Sequence, residues 1–302
     1  MDPWFVGSSV PAILPPSERI IVIGDLHGDI AILCSCLYMA KIINTDMEWI
    51  AEPPNTIVVQ IGDQLDSLSR DTSQEWEKLD DIKLMRFTEK LDEIAQKKGG
   101  RFLSMIGNHE MMNVFGEFMY VSPMSMEKSG GLQGRRDKFK PGGVYATLLA
   151  KRPSVLKIGN LLFCHAGLLP HHLELVHGNL QHINDINQRF LLGRPMEFHD
   201  TMVHKQLFMD PTSMLWNRMY IEGLHDPSSQ ANMKTGLDIT LHHTGSIAMI
   251  IGHNPMEHIT PMYNMKLWVT DVGLSRSFSA NNLEILEILH GTTFNIIQAI
   301  KK

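Results

Sequence analysis

No run in this chain approaches the roughly 20 consecutive apolar residues that cross a bilayer, so the sequence offers no membrane-spanning helix. The start, Met1-Asp2-Pro3-Trp4-Phe5, lacks the basic and continuously apolar regions of a secretory signal, and no Asn-X-Ser/Thr acceptor occurs. Cysteine is scarce: Cys34, Cys36 and Cys164 cannot all pair within one chain, and the spacing of the first two suits neither a zinc knuckle nor a redox dithiol. Reduced thiols in a reducing compartment follow, and the expectation is a cytoplasmic protein with no membrane partner. Positive charge is also limited, with 27 Lys and Arg against 33 Asp and Glu and a formal net charge of -6. No Lys/Arg stripe or aromatic-interleaved basic patch recommends nucleic acid as a partner. No linker divides the chain, although its length would allow two domains.

Histidine, by contrast, is abundant, with 15 residues often beside Gly, Asn or another His. The run Ile20-Ile21-Val22-Ile23 reads as a buried strand, and it empties into Gly24-Asp25-Leu26-His27-Gly28-Asp29. Positions i and i+2 of an extended segment point the same way, so Asp25 and His27 can reach a common ion. The pattern repeats. Thr56 to Ile61 is a second strand ending in Gly62-Asp63-Gln64-Leu65-Asp66, and Arg101 to Ile106 a third ending in Gly107-Asn108-His109-Glu110. A charged helix-prone segment from Gln74 to Lys98 separates those two, and Ile30 to Ala40 suits a buried helix after the first. Three junctions of one form predict a βαβαβ core with a site along the strand carboxyl ends.

Met111 to Gly143 has mixed period and reads as loop and short helix over the site, with Arg135-Arg136 as a solvated edge. Tyr145 to Ala150 reads as helical. Val155 to Ile158 and Leu161 to Cys164 form a hairpin turning at Gly159-Asn160 and ending in His165-Ala166-Gly167. From Leu168 to about Thr244 the pattern is helical and polar, and its histidines, His171, His172, His177 and His182, are expected mostly on the surface. Strands return at Ser246 to Ile251, ending in Gly252-His253, then at Leu267 to Thr270, Leu283 to Leu289 and Phe294 to Ile300. A sheet packed on a sheet is expected.

Collected from five strand ends, the set is Asp25, His27, Asp63, Asn108, His165 and His253, with His109 and Asp66 beside it. Carboxylate and amide oxygens mixed with imidazoles suit borderline metals such as Mn, Fe or Zn, whereas calcium prefers oxygen alone. Six positions exceed the needs of one open site, and a carboxylate such as Asp63 can bridge two ions, so the pattern reads as a two-metal hydrolase in which a water between the ions attacks a phosphoryl group. His109, beside Asn108, is placed to protonate the departing oxygen, with Asp66 favouring its charged form.

These motifs, Gly24-Asp25-Leu26-His27-Gly28, Gly62-Asp63-Gln64-Leu65-Asp66, Gly107-Asn108-His109-Glu110, His165-Ala166-Gly167 and Gly252-His253, resemble the calcineurin-like metallophosphoesterases, specifically the phosphoprotein-phosphatase branch. Between motifs, Gly99-Gly100, Met112-Asn113, the run His165 to Pro170, Trp216-Asn217-Arg218 and Asp271-Val272-Gly273-Leu274-Ser275 are similar to the Shewanella-like protein phosphatases. The resemblance implies an α/β, four-layer fold, a central β-sandwich flanked by helices with the active site at strand C-terminal ends. One catalytic domain over 19–302 is expected, with a helical insert at about 168–244, and residues 1–18, with several prolines and no sustained period, read as an extended lead-in lying across the domain surface. By position the resemblance implies Asp25, His27 and Asp63 on one metal, Asp63, Asn108, His165 and His253 on the other, and His109 with Asp66 as the acid pair.

Two departures stand out. Ser67 occupies the place of the arginine that grips a substrate phosphate in the family, and Gly116-Glu117-Phe118-Met119-Tyr120 lacks the arginine of the Shewanella-like group. Arg218 and Arg70 are the candidate replacements. The expected activity is phosphomonoester hydrolysis on phosphoproteins or phosphopeptides. The rivals are a dinucleoside polyphosphate or other small phosphoester hydrolase, and a catalytically impaired phosphate-binding protein.

Overall fold

The computed structural model describes residues 11–69, 79–223, 226–278 and 282–299. The strands are β1 (Ile13–Leu14), β2 (Arg19–Ile23), β3 (Ile57–Gln60), β4 (Arg101–Ser104), β5 (Val155–Ile158), β6 (Leu161–Cys164), β7 (Ala248–Ile251), β8 (Thr260–Met262), β9 (Leu267–Val269), β10 (Glu284–Leu289) and β11 (Thr293–Gln298). They form two mixed sheets, ordered β11-β10-β2-β3-β4 and β1-β5-β6-β7-β9-β8. Within the first, β2, β3 and β4 run parallel, with Ile21 opposite Val58 and Val58 opposite Phe102. Within the second, β6, β7 and β9 are parallel. The carboxyl ends of five of these strands, β2, β3, β4, β6 and β7, deliver the candidate ligands and the His109–Asp66 pair to one place.

Period-two alternation explains the layering. In β6, Leu161 and Phe163 pack with β2, β3 and β10, while Leu162 and Cys164 join a second core among the helices. The same split holds for Ala248 and Ile250 against Met249 and Ile251 in β7. Helices cover both outer faces: Ile30–Met39 and Asp81–Lys97 on one sheet, and Pro170–Leu175, Leu180–Leu191, Phe198–Phe208 and Pro227–Thr244 on the other. Asp29 starts the first of these by accepting the Ile32 N–H at 3.2 Å.

Several expectations need correction. The segment from 111 to 143 is more helical than expected, with helices Asn108–Phe115, Pro123–Lys128 and Gly131–Phe139. The lead-in does more than lie across the surface, because Ile13 and Leu14 pair in parallel with Lys157 and Ile158 at the edge of the second sheet. Among the histidines of the helical region, His172 is fully buried, accepting the Leu169 N–H at 3.1 Å and donating to the Thr212 carbonyl at 3.0 Å. Burial, with His171 beside it, pushes its pKa down to about 3. Arg135, expected at a solvated edge, is wholly buried against Asp81. Cys34, Cys36 and Cys164 are all free thiols. No helix among the described residues is long and apolar enough to cross a membrane.

Candidate metal centre

Four of the expected residues sit in left-handed backbone at the loops that follow the strands: His27 (φ 39°), Asp63 (55°), Asp66 (65°) and His253 (65°). Such conformations cost side chains with a Cβ about 1–3 kcal/mol each and persist where the surroundings impose them, as at functional sites. Two glycines let these loops converge. A Cβ on Gly107 would fall on the Asp63 carboxylate, and one on Gly252 on Asp25 Oδ1.

Each imidazole has one nitrogen committed to a carbonyl. His27 Nδ1 lies 3.0 Å from the Leu65 carbonyl oxygen, His165 Nδ1 lies 2.9 Å from that of Ile61, and His253 Nε2 lies 3.1 Å from that of Trp216. A carbonyl only accepts, so those nitrogens donate, and the opposite nitrogen of each ring, when the ring is neutral, can turn its lone pair to an ion. His165 Nε2 and His253 Nδ1 then face Asn108 Oδ1 at 2.9 and 3.0 Å, while Asp63 Oδ2 stands 3.3 Å from His165 Nε2. Ligand atoms of Asp63, His165 and His253 all lie within 4.8 Å of one another, as do those of His27, Asp63 and His109. Asp63 thus belongs to both groups. His253 N–H reaches Asp25 Oδ2 at 3.1 Å, but Asp25 Oδ1 is buried with no partner.

The electrostatics of the cluster favour positive charge among its carboxylates. Burial, and then the nearby Asp271 and Asp63, hold the Asp25 carboxyl well above the usual range. Burial would raise Asp63 too, but His165, His109 and His27 outweigh it and hold that carboxyl well below its ordinary value. Burial opposes protonation of His165, and Asp63 overcomes it and raises the ring's pKa. A cation between them would take the place of that proton. His253, pushed down to about 3 by burial and by His165 and Arg218, is neutral, as a ligand must be. The donor set, the orphaned Asp25 oxygen and the facing lone pairs fit a pair of divalent ions.

Beside this cluster, His109 Nδ1 contacts Asp66 Oδ2 at 2.7 Å, with Nε2 turned toward Asp63 Oδ2 at 3.9 Å. Glu110 holds the two ligand loops together. Its carboxylate accepts the N–H groups of Gly107 (2.7 Å), Asp63 (2.9 Å), Gln64 (2.8 Å) and Leu65 (3.2 Å). The rim is aromatic, with Phe278 4.8 Å from the His27 ring, Tyr120 5.3 Å from His109 and Trp216 6.1 Å from His253.

A sequence model of the calcineurin-like phosphoesterases matches residues 18–273. The chain belongs to that family. It is 27% identical to Shewanella-like protein phosphatase 2 of Arabidopsis thaliana, over 93% of this chain and 77% of that protein. It is 28% identical to Shewanella-like protein phosphatase 1 of Plasmodium berghei, over 85% of this chain and 67% of that protein. Among solved structures, the cold-active protein-tyrosine phosphatase of a psychrophilic Shewanella superposes with a TM-score of 0.74 at 20% identity, covering 96% of this chain and 83% of that one. A protein serine/threonine phosphatase of Saccharomyces cerevisiae superposes with a TM-score of 0.57 at 14% identity, covering 97% and 85%. These two likenesses describe the fold. As a member of the family the chain is a metal-dependent phosphoesterase.

Of the two candidate substrate arginines, Arg218 stands exposed at the rim, its Nη1 donating to the His253 carbonyl at 3.2 Å and to Asn254 Oδ1 at 3.0 Å. Arg70 lies outside the described residues. Ser67 is fully buried, its hydroxyl 2.9 Å from that of Ser122 and 3.2 Å from that of Ser125. It leaves no gap at the mouth for an arginine to fill. Ser67→Arg is therefore expected to destabilise by about 3 kcal/mol or more through overpacking and a buried charge, without lowering KM. Thermal unfolding beside aryl phosphatase kinetics checks this, and a lower KM at unchanged Tm would contradict it.

Proposed function

We propose that the chain is a metal-dependent phosphomonoesterase acting on phosphorylated protein side chains. The observation that carries this reading is Asp63 shared between two groups of facing ligand atoms, one of which includes His109, itself paired with the buried Asp66. Asp25, His27 and Asp63 would hold one ion, and Asp63, Asn108, His165 and His253 the other, with Mn, Fe or Zn suited to the donors. When bound, such ions supply a water acidic enough to attack at neutral pH and positive charge for the phosphoryl oxygens.

The chain's own residues do the rest. Asp66 accepts from His109 Nδ1 and favours the imidazolium, so Nε2 carries a proton for the leaving oxygen. Arg218, tied to the His253 loop, offers a guanidinium to a phosphate oxygen at the rim. The aromatic rim favours an aromatic phosphoester within this class, which makes phosphotyrosine the second reading.

A purely phosphate-binding protein has no use for an ordered proton donor, so the acid pair supports turnover. Mn-loaded protein is expected to release phosphate from 4-nitrophenyl phosphate and from phosphopeptides. A panel of phosphoserine, phosphothreonine and phosphotyrosine peptides beside diadenosine polyphosphates ranks the substrates. Preference for the dinucleotides would replace the protein-phosphatase reading, and metal-replete protein without turnover would replace hydrolysis with binding.

A further inference from the structure

The region behind His109 is sealed from solvent yet as polar as the metal centre. Asp66, Asp81, Asn113 and Arg135 are all 0% exposed. Their hydrogen bonds close a ring. Arg135 Nη2 donates to Asp81 Oδ2 at 2.7 Å, and the same oxygen accepts the backbone N–H of Asp66 at 3.1 Å. Arg135 Nε donates to Asn113 Oδ1 at 2.7 Å, and Asn113 Nδ2 donates to Asp66 Oδ1 at 2.8 Å. That leaves Asp66 Oδ2 for His109 Nδ1 at 2.7 Å. The guanidinium is held in turn by Ser129 Oγ at 3.1 Å and by the Phe139 ring, 4.9 Å from its carbon.

The ring has a direction. Because Arg135 Nε can only donate, it obliges Asn113 to turn its oxygen toward Arg135 and its amide hydrogens toward Asp66. A reversed amide would set oxygen against the Asp66 carboxylate. Asp81, anchored by the guanidinium fork, meanwhile holds the backbone of Asp66, which sits at φ 65°. Arg135 therefore reaches Asp66 through Asn113 on its side chain and through Asp81 on its backbone, and also directly as a charge, with Nη2 3.9 Å from Asp66 Oδ1, without touching the metal ligands.

We propose that Arg135, acting with Asp81 and Asn113, is a positioning residue that sets the Asp66 carboxylate and through it the His109 ring for proton delivery to the leaving oxygen. This rests on the reading of His109 as the acid, so the test calibrates that reading as well.

The readout is leaving-group dependence. 4-Nitrophenolate departs without a proton, whereas the alkoxide of phosphoserine needs one. Arg135→Lys keeps a charge but cannot span Asn113 and Asp81 as the guanidinium fork does. The double variant Arg135→Gln/Asp81→Asn removes both charges together, leaving neither unpaired. In each, the ratio of kcat on 4-nitrophenyl phosphate to kcat on a phosphoserine peptide is expected to rise about tenfold or more, with KM moving less. Bound Mn per chain and the Tm increase on adding Mn should match the parent. His109→Asn, the calibrating variant, should raise the ratio by roughly 10²–10⁴, the usual worth of a general acid. An unchanged ratio in both Arg135 variants, while His109→Asn shifts it, would overturn the proposal alone, as would equal losses on both substrates accompanied by lost Mn. No shift in His109→Asn would overturn the acid assignment, and the proposal with it.

Discussion

Asp63→Asn is expected to lower kcat by about a thousandfold or more, roughly 4 kcal/mol in the barrier, and to abolish the stabilisation that Mn gives the parent protein. Asp63 is common to both candidate ligand groups, so its charge is what would allow two cations to sit in one cluster of imidazoles. The amide keeps the shape and removes the charge. It also releases His165, whose pKa is raised, against burial, by the Asp63 carboxylate. A ligand at a thousand times its Kd stabilises by about 4 kcal/mol, so the Mn-dependent rise in Tm is a sensitive second readout that does not depend on turnover. Full turnover and a full Tm response in the variant would sink the shared-ligand reading.

The second large effect is expected at Glu110, which no metal need touch. Its two carboxylate oxygens accept four backbone N–H groups, from Gly107 and from Asp63, Gln64 and Leu65. Burial, and then Asp63, raise its pKa, while Arg152 and the N–H groups oppose that shift. Glu110→Gln swaps one accepting oxygen for a donor, leaving two buried N–H groups facing an amide N–H. Unsatisfied buried donors cost about 1–3 kcal/mol each, so a loss of roughly 3 kcal/mol or more is expected. At about 2–4 °C per kcal/mol for a chain of this order, Tm should fall by roughly 6–12 °C. Bound Mn should fall as well, because the same hydrogen bonds align Asp63 with Asn108. An unchanged Tm would show that the four bonds contribute nothing net.

Much of the centre was legible because strand and ligand share one sequence pattern. Runs such as Ile20 to Ile23 and Ile57 to Gln60 are β-branched and end in Gly-Asp, and the structure gives them as strands with those loops at their ends. The Gly159-Asn160 turn between β5 and β6 was legible for the same local reason. Elements decided at long range were not. Strand β8 contains Pro261 and survives at the sheet edge, where a missing N–H costs no ladder bond. Arg135 lies on a polar helix that reads as solvated, and its burial depends on Asp81, 54 positions away. The roles of Asn113 and Glu110 likewise depend on partners more than 40 positions distant. Local spacing points to candidate ligands, while the groups that hold them in place are visible only in three dimensions.

The order of strands also bears on how such a chain comes to be active. β2, the strand that carries Asp25 and His27, pairs on one side with β3 and on the other with β10, so Val22 faces Leu286 from far along the chain. During synthesis β2 can join β3 early, but its other edge stays open until β10 has been made. Contacts of such high order close slowly. His253 also follows the other proposed ligands in the chain, so a nascent chain holding Asp25, His27 and Asp63 would have only part of the proposed set. The proposed two-metal set would thus wait for β7 and the loop after it, and the open edge of β2 is the surface that a growing chain must keep from unwanted pairing.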